Sequence, residues 1–251
     1  MNRSGEIRWQ HLAGMAGVCA VALAGVFWLS LPSAKPLRRS NPPTTAIIEA
    51  RAREARQHGR AARRIQHWVP LAGLSPSLRE AVVNSEDARF YEHSGVDPAE
   101  LRAALAEAAA RGRVRGASTL SQQLAKNLWL GEDRTLWRKL KEVILARRLE
   151  ALGKDRVLEL YLNVAEWGEG IYGADAAARF WFHKPAAELR PEEAALLAAM
   201  LPAPRKRNPR RPSARLRKRA GEILELYGMY NQLSPEDLDR ARDRLRVILQ
   251  T

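Results

Sequence analysis

The sequence predicts a mainly α-helical domain that follows a single N-terminal transmembrane helix. From residue 75 onward, apolar residues recur at intervals of three and four, which is the period of a helix with one buried face. Period-two alternation is rare, and the chain has no Asn-Gly or Asp-Gly pair of the kind that closes a two-residue hairpin. Near the N-terminus, an uncharged stretch of about twenty residues has the length that a helix needs to cross a bilayer.

Composition narrows the possible classes of protein. The 251 residues suffice for one medium-sized domain with flanking chain, and 46% hydrophobic with 28% charged residues is typical of a globular protein. The single cysteine, Cys19, excludes an internal disulfide framework and a zinc site built on several thiolates. A net charge of +14 indicates an anionic partner, but composition alone does not choose between nucleic acid, a membrane surface and a phosphorylated substrate.

The first element is the uncharged stretch, and we expect residues 12–32 to be an uncleaved transmembrane anchor after a cytoplasmic segment, 1–11. Phe27 and Trp28 lie near one end, as aromatic residues at a membrane interface do. A cleaved signal peptide is the alternative, but the stretch is longer than the usual apolar region and is followed by a poor cleavage site. Basic residues lie on both sides of the stretch, so charge does not fix its orientation.

Residues 33–74 are predicted to be a juxtamembrane linker with an amphipathic segment. Residues 33–43 are basic and contain several prolines, which is typical of a linker. Between residues 45 and 68, Ile47 and Ile48 stand among many arginines. This pattern fits a helix beside lipid head groups as well as a solvated helical connector, and the sequence leaves both interpretations open.

The compact domain is expected at residues 75–251, where several signals mark helix starts. Ser75-Pro76 and Asp97-Pro98 each place a capping side chain before a proline at the first helical position. Thr135 and Asp155 can open two further helices. Pro191 begins the stretch EEAALLAAML, which is apolar enough to be buried.

A strongly basic segment, residues 205–219, contains no acidic residue. Read alone, it resembles a nucleic-acid-binding patch. With a membrane anchor upstream, anionic lipid or a solvated surface is the better interpretation, and the sequence assigns this segment no special role.

Four clusters combine carboxylates, cations and small polar groups. The first contains the adjacent carboxylates Glu86 and Asp87 together with Arg89, His93 and Asp97. A carboxylate at the C-terminal end of a helix is opposed by the helix dipole, which raises its pKa toward that of a useful general base. A salt bridge or a helix cap is the structural alternative.

The second cluster is a polar stretch, residues 116–127, and the third is a basic helix face. Hydroxyls, amides and a lysine in the second suit sugar hydroxyls or phosphate oxygens, although the spacing is not that of a P-loop. The third cluster comprises Arg134, Arg138, Lys139, Lys141 and Glu142. Its cations suit a diphosphate, and Glu142 could orient them or hold a metal. A polar loop and a solvated ion-pair ladder are the alternatives.

The fourth cluster runs from Lys154 through Tyr161 to Tyr172-Gly173 and is interpreted mostly as scaffold, because its glycines indicate close packing in turns. Four tryptophans could stack on sugars, but core packing explains them better. They are Trp129, Trp137, Trp167 and Trp181.

Five blocks drawn from these regions resemble the peptidoglycan glycosyltransferases of family 51. The blocks are EDARFYEHSGVD, RGASTLSQQLAKN, RKLKE, KDRVLELYLN and AAARFWFHKPAAEL. The similarity covers roughly residues 75–230. Five separate blocks that keep their order and spacing are much more specific than any single motif.

The resemblance implies a lysozyme-like glycosyltransferase fold with a membrane-associated jaw beside a long cleft. Such enzymes polymerise lipid II, the undecaprenyl-diphosphate-linked disaccharide-pentapeptide, into β-1,4 glycan strands and release undecaprenyl diphosphate. The chain has no Ser-x-x-Lys, Lys-Thr-Gly or Lys-Ser-Gly motif, so a monofunctional member is expected. Expected partners are lipid II, the growing strand, the inner membrane and division or elongation proteins, without nucleic acid, and the catalytic domain is expected in the periplasm.

The resemblance also implies roles for individual residues. Glu86 matches the general base that deprotonates the acceptor sugar hydroxyl, and Glu142 matches a second essential carboxylate at the diphosphate site. The same match carries over a set of substrate-binding residues: Ser118, Thr119, Gln122, Gln123, Lys126, Asn127, Arg134, Arg138 and Lys141. No tightly bound cofactor is expected, although a divalent cation, Mg or Mn, could assist the departing diphosphate, with Glu142 as a possible ligand.

Two other functions stay open on the sequence alone. A glycan-cleaving, lysozyme-like lytic transglycosylase could share the fold and the glutamate, but it needs a general acid and has no use for a cationic diphosphate site. A non-catalytic membrane-anchored scaffold could use the basic surface alone, but it would not need Glu86 and Glu142.

Overall fold

The computed structural model describes residues 3–112, 116–133 and 135–250. These residues are mainly helical with three short strands, so the predicted fold class is confirmed. The helices are α1 (Arg3–Ser30), α2 (Ala46–Gln57), α3 (Pro76–Glu86), α4 (Pro98–Arg111), α5 (Leu120–Ala125), α6 (Leu136–Glu150), α7 (Lys154–Val164), α8 (Ala174–Phe182), α9 (Pro191–Met200), α10 (Ala214–Tyr230) and α11 (Pro235–Ile248). The strands are β1 (Ile65–Gln66), β2 (Glu166–Gly168) and β3 (Ile171–Tyr172). A π-helical segment covers Lys126–Leu130, and 3₁₀ turns cover Lys35–Arg38, Leu71–Gly73, Phe90–Glu92 and Ala186–Glu188.

The chain divides into two compact units, Met1–Ser33 and Ala34–Thr251. In the first unit, α1 supplies the candidate membrane span, the one described helix that is long and apolar enough to cross a bilayer. It fits the predicted transmembrane anchor, while the bounds 12–32 and the cytoplasmic segment stay predictions.

Several helices of the second unit begin at the residues that the sequence marks. The Ser75 hydroxyl accepts a hydrogen bond from the backbone N–H of Leu78 at 3.1 Å, and Thr135 caps α6 in the same way. The predicted start of α7 at Asp155 is displaced. Gly153, with φ +89°, turns the chain into the helix, so that Asp155 lies in the first turn instead of at the cap.

Residues 34–74 are part of the second unit, and the packing of residues 45–68 differs from both interpretations of the sequence. Ile47 and Ile48 are buried with Tyr172, so the apolar face of α2 covers protein and not lipid or solvent. β1 pairs in parallel with β3, which in turn pairs antiparallel with β2. No structural division therefore appears at residue 75, the predicted start of the compact domain.

The predicted linker is docked onto the domain by Arg156. Its guanidinium donates hydrogen bonds to the carbonyl oxygens of Leu37 at 2.8 Å and Ser40 at 3.0 Å. Arg38 donates to the carbonyl oxygen of Ala151 at 2.6 Å. Residues 37–40 are therefore bound to the start of α7 and the end of α6.

The core of the second unit is built around α9. Residues 192–200 are all buried, as the apolar stretch after Pro191 predicts, and both α3 and α10 pack against this helix. The C-terminal end of α3 is consequently held on a rigid base, which matters because Glu86 is its last residue.

Most of the basic segment 205–219 is used to hold the domain together. Arg205 forms two hydrogen bonds of 2.9 and 3.0 Å with Glu54, and Arg210 lies over the ring of Phe180 at 5.3 Å. Arg219 donates to the carbonyl oxygen of Ser85 at 3.0 Å. These arginines therefore contact protein groups, while Arg205 and Arg210 are at the same time exposed to solvent. Contact of this segment with anionic lipid stays a prediction.

Candidate active site

Glu86 ends α3 as a half-buried carboxylate. Its Oε2 accepts a hydrogen bond of 3.0 Å from Nε2 of Gln123 on α5. Burial raises the pKa of the Glu86 carboxyl above its ordinary value, and this outweighs the opposing effects of the Gln123 hydrogen bond and of nearby Arg219, Arg207 and Lys126. Such a carboxylate is more basic than one in water, which suits a general base.

Gln123 is itself held by a buried tyrosine. The Tyr161 hydroxyl on α7 donates to Oε1 of Gln123 at 2.9 Å, and the tyrosine is only 1% exposed. Tyr161, which the sequence indicated to be scaffold, thus lies two hydrogen bonds from Glu86.

Asp87, the neighbour of Glu86, is a structural residue. Its carboxylate lies 2.9 and 3.1 Å from Nε2 of His93 and accepts a hydrogen bond of 2.9 Å from the backbone N–H of Leu120. It therefore ties the end of α3 to the start of α5. Asp97 caps α4 by accepting hydrogen bonds from the backbone of Ala99 and Glu100, so the structural alternative holds for both aspartates.

The polar stretch before α5 also has a mainly structural use. Thr119 and Gln122 are each 3% exposed and form a capping box, in which each side chain accepts a hydrogen bond from the backbone of the other. Thr119 also donates to the carbonyl oxygen of Gly95 at 2.7 Å. Ser118 differs, because its half-buried hydroxyl accepts a hydrogen bond of 3.0 Å from Lys139.

Glu142 lies on α6 in the centre of a cationic group. It is 3% exposed, and its carboxylate binds Arg138 at 2.6 Å and Lys139. Burial lowers the pKa of the Lys126 ammonium; Glu132 and Glu142 oppose this shift, while Arg138 and Lys139 add to it. These four charges are therefore close enough to Lys126 to act on it.

Of the predicted diphosphate ligands, two are not seen in this cationic group. Arg134 lies outside the described residues. The Lys141 ammonium stands 5.9 Å from the centre of the Trp137 ring, and no described contact joins it to Glu142. Lys139, which spacing alone could have indicated because it precedes Glu142 by three residues, takes this position instead.

The surroundings of Glu142 do not fit a protein-bound divalent cation. Both carboxylate oxygens already bind cationic side chains, and the described residues contain no group of three histidine, cysteine, aspartate or glutamate side chains that could hold a metal. The donor set suits an anion instead.

Glu86 lines one cavity and is hydrogen-bonded to a residue that lines another. The first, of about 440 Å³, is lined by Glu86, Arg89, Ser118 and Arg219 among others. The second, of about 650 Å³, is lined by Gln123, Lys126, Asn127 and Tyr161, among others. The Glu86–Gln123 hydrogen bond therefore joins a side chain in the wall of the smaller cavity to one in the wall of the larger.

Part of the wall of the larger cavity is formed by an ion-pair network. Arg51 of α2 binds Glu132 at 2.8 Å and Glu166 at 3.1 Å, and all three residues line the cavity together with Arg205. The sequence does not indicate this network, because Glu132 and Glu166 lie 81 and 115 residues away from Arg51 along the chain.

Known proteins with similar sequences share one family description. The model of the Transglycosylase family matches residues 53–227. A protein named biosynthetic peptidoglycan transglycosylase from Rhodospirillum centenum is 47% identical over 205 residues, which cover 81% of this chain and 87% of the relative. Proteins of the same name from Azoarcus sp. and Laribacter hongkongensis are 44% and 42% identical, each over 202 residues that cover 79% of this chain and 86% and 87% of the relatives.

Proposed function

The chain belongs to the transglycosylase family, and from that premise we propose that it polymerises lipid II into β-1,4 glycan strands with release of undecaprenyl diphosphate. Membership of the family and the names of the relatives make the protein a peptidoglycan glycosyltransferase of cell wall synthesis. The single observation that supports the detailed reaction best is the position of Glu86, which lines one cavity and is hydrogen-bonded to Gln123 in the wall of a second.

In the proposed reaction, Glu86 is the general base. Its carboxylate takes the proton from the acceptor sugar hydroxyl as the hydroxyl oxygen attacks the anomeric carbon of the donor. The bond from that carbon to the diphosphate oxygen breaks, and the α-linked diphosphate is replaced by a β-1,4 glycosidic bond. The raised pKa of Glu86 supports this role, because a base is most effective when its pKa lies near the working pH.

Cations beside Glu142 would stabilise the charge that develops on the departing diphosphate. The charges of Arg138 and Lys139 are close enough to lower the pKa of Lys126. Glu142 orients Arg138 and Lys139 by direct ion pairs. Fixed charges of this kind lower the barrier because they need not reorganise during the reaction. Arg134 and Lys141 stay proposed ligands on the resemblance alone, and no step here passes through a metal ion.

The smaller polar side chains divide between binding and support. Asn127 and Gln123 line the larger cavity, and Ser118 and Thr119 line the smaller one, where they are proposed to contact sugar hydroxyls. Gln122 lines neither of the two cavities, so we propose that it acts through the cap that it shares with Thr119.

We place the enzyme at the inner membrane, with α1 as the anchor and the second unit in the periplasm. The substrate carries a long isoprenoid chain that stays in the bilayer, so the enzyme must work at its surface. An exposed apolar surface on α6 supports this placement: Leu136, Trp137 and Leu140 are 92, 54 and 46% exposed. It is the candidate for the membrane-associated jaw.

The lytic alternative is less well supported by this site. Glycan cleavage needs a general acid beside the glycosidic oxygen, whereas the region around Glu142 offers cations suited to a diphosphate. A non-catalytic scaffold would leave the half-buried Glu86 in the cavity wall without a purpose.

The test is incubation of the purified full-length protein with fluorescent lipid II in detergent, followed by gel separation. We expect a ladder of polymer that a muramidase digests, and we expect Glu86→Gln to abolish it while the variant still binds lipid II. Cleavage of preformed strands without polymerisation would favour the lytic enzyme. Neither activity, with a Glu86→Gln variant that retains the cellular role, would favour the scaffold.

A further inference from the structure

We propose that Tyr161 is a positioning residue for Glu86, acting through Gln123. This inference rests on the proposed function, because it takes Glu86 as the general base. The observation that supports it is an unbroken chain of hydrogen bonds from α7 through α5 to the end of α3.

Tyr161 and Glu86 hold the Gln123 amide from its two ends. The phenol hydroxyl donates to Oε1, and the NH2 group of the same amide donates to the Glu86 carboxylate. If the amide turned over, its carbonyl oxygen would face the carboxylate, and two acceptors would be left without a proton between them. Loss of the tyrosine hydroxyl would leave Oε1 without this donor and remove one of the two hydrogen bonds that fix the amide against Glu86.

Burial keeps the tyrosine in the donor form. Tyr161 is 1% exposed, and burial raises the pKa of its hydroxyl well above the ordinary value, with the nearby Glu86 charge adding to the shift. The phenol consequently remains protonated wherever the enzyme works. Its neighbours on α7, Leu160 and Leu162, are buried as well, so the ring is held in a closely packed environment.

Other charged groups near Glu86 also influence its pKa, independently of Tyr161. Arg219 of α10, Arg207 of the loop after α9 and Lys126 of the π-helical segment all favour the ionised carboxylate, while burial opposes it. Arg89, Asp87, Asp97 and Glu100 line the adjoining cavity. The Tyr161 variant leaves these groups in place, so its effect reports the orientation of the Gln123 amide.

Tyr161→Phe removes the hydroxyl and keeps the ring, and Tyr172→Phe is its matched control. Tyr172 is also fully buried, but its hydroxyl has no hydrogen-bond partner among the described residues. We expect Tyr161→Phe in the full-length enzyme to lower kcat for lipid II polymerisation about tenfold, with KM changed less than about twofold. Tyr172→Phe should leave both within about twofold.

The pH profile separates positioning from general damage. The base must be ionised to act, so activity falls as the pH falls through the Glu86 pKa. A weaker hydrogen bond to the ionised form raises that pKa, and we expect the acid limb of kcat/KM in Tyr161→Phe to move up by as much as about one pH unit, a tenfold change in proton affinity. An unchanged acid limb, or an equal shift in Tyr172→Phe, would overturn the proposal.

A double-mutant cycle tests whether the effect passes through Gln123. In a Gln123→Ala background, Tyr161→Phe should cause no further loss, whereas two independent effects would multiply. If Tyr161→Phe does not fold, Gln123→Ala alone must still show the shifted acid limb. Activity retained by Glu86→Gln would refute the general-base assignment itself, while an inactive Glu86→Gln with multiplying effects would refute only the role of Tyr161.

Discussion

Two adjacent carboxylates, Glu86 and Asp87, have opposite uses in this protein. The Asp87 carboxylate binds His93 and the backbone N–H of Leu120, whereas the Glu86 carboxylate has one hydrogen bond, to Gln123, and lines the smaller cavity. The difference arises because the two side chains point in different directions. Residue 86 is the last of the helix and residue 87 leaves it with φ −162°, so that their side chains point to different elements.

Lys139 is the residue whose replacement tests the cationic group most directly. Lys139→Met removes one cation from Glu142 and the hydrogen bond to Ser118 while keeping the length of the side chain. We expect kcat for polymerisation to fall roughly tenfold to a hundredfold, because a fixed charge aimed at the leaving group is lost. The measurement is the steady-state rate with lipid II.

Arg147→Met is the control for this variant. Arg147 lies on the same helix and its side chain is exposed, so the substitution removes one positive charge and leaves the contacts of Glu142 in place. Equal losses in the two variants would mean that net charge matters and that the group around Glu142 does not.

At the scale of elements, Gly95 joins the loop after α3 to α6. Its φ is +82°, and a Cβ added there would lie 2.9 Å from backbone atoms of Ala146 and Arg147. Its carbonyl oxygen also accepts the hydrogen bond from Thr119, which caps α5. The glycine therefore holds the start of α5 close to the C-terminal part of α6.

Gly95→Ala should therefore destabilise the fold severely. The left-handed conformation and the contact with rigid backbone together should cost about 3 kcal/mol in the free energy of unfolding. Gly112→Ala is the matched comparison, since the φ of Gly112 is also positive, at +62°, but no atom of the described residues lies within 4 Å of an added Cβ. It should cost only about 1–2 kcal/mol. Chemical denaturation of both variants measures this, and equal losses would show that close approach to α6 is unimportant.

At the scale of the whole molecule, the second unit has its own core and its own site. Removal of residues 1–33 should leave residues 34–251 folded, because the buried residues described here belong almost entirely to that unit. We expect activity in detergent within about a few-fold of the full-length enzyme. On vesicles that contain lipid II, activity should fall about tenfold or more, because the anchor no longer concentrates the enzyme at the surface.

The control for this truncation is the same unit joined to an unrelated apolar helix of equal length, which should restore activity on vesicles. Loss of activity in detergent would instead mean that α1 contributes to the catalytic unit itself.

Local patterns in the sequence determined a large part of this protein. The caps at Ser75, Asp97 and Thr135, the buried helix after Pro191 and the apolar α1 are all evident from the printed chain, because caps and helical periodicity depend on neighbours within four residues. The proposed roles of Glu86 and Glu142 also come from the sequence, from their place in recognisable blocks.

Only the tertiary structure decided which polar groups meet. Tyr161 reaches Gln123 from 38 residues away, Arg219 reaches Ser85 from 134, and α2 turns its isoleucines toward Tyr172. The contact between Lys139 and Glu142, in contrast, follows from local spacing, because residues three apart lie on the same face of a helix. The sequence carries the residue types and their local spacing, but long-range hydrogen bonds and burial depend on how the helices pack, and these set the pKa of Glu86.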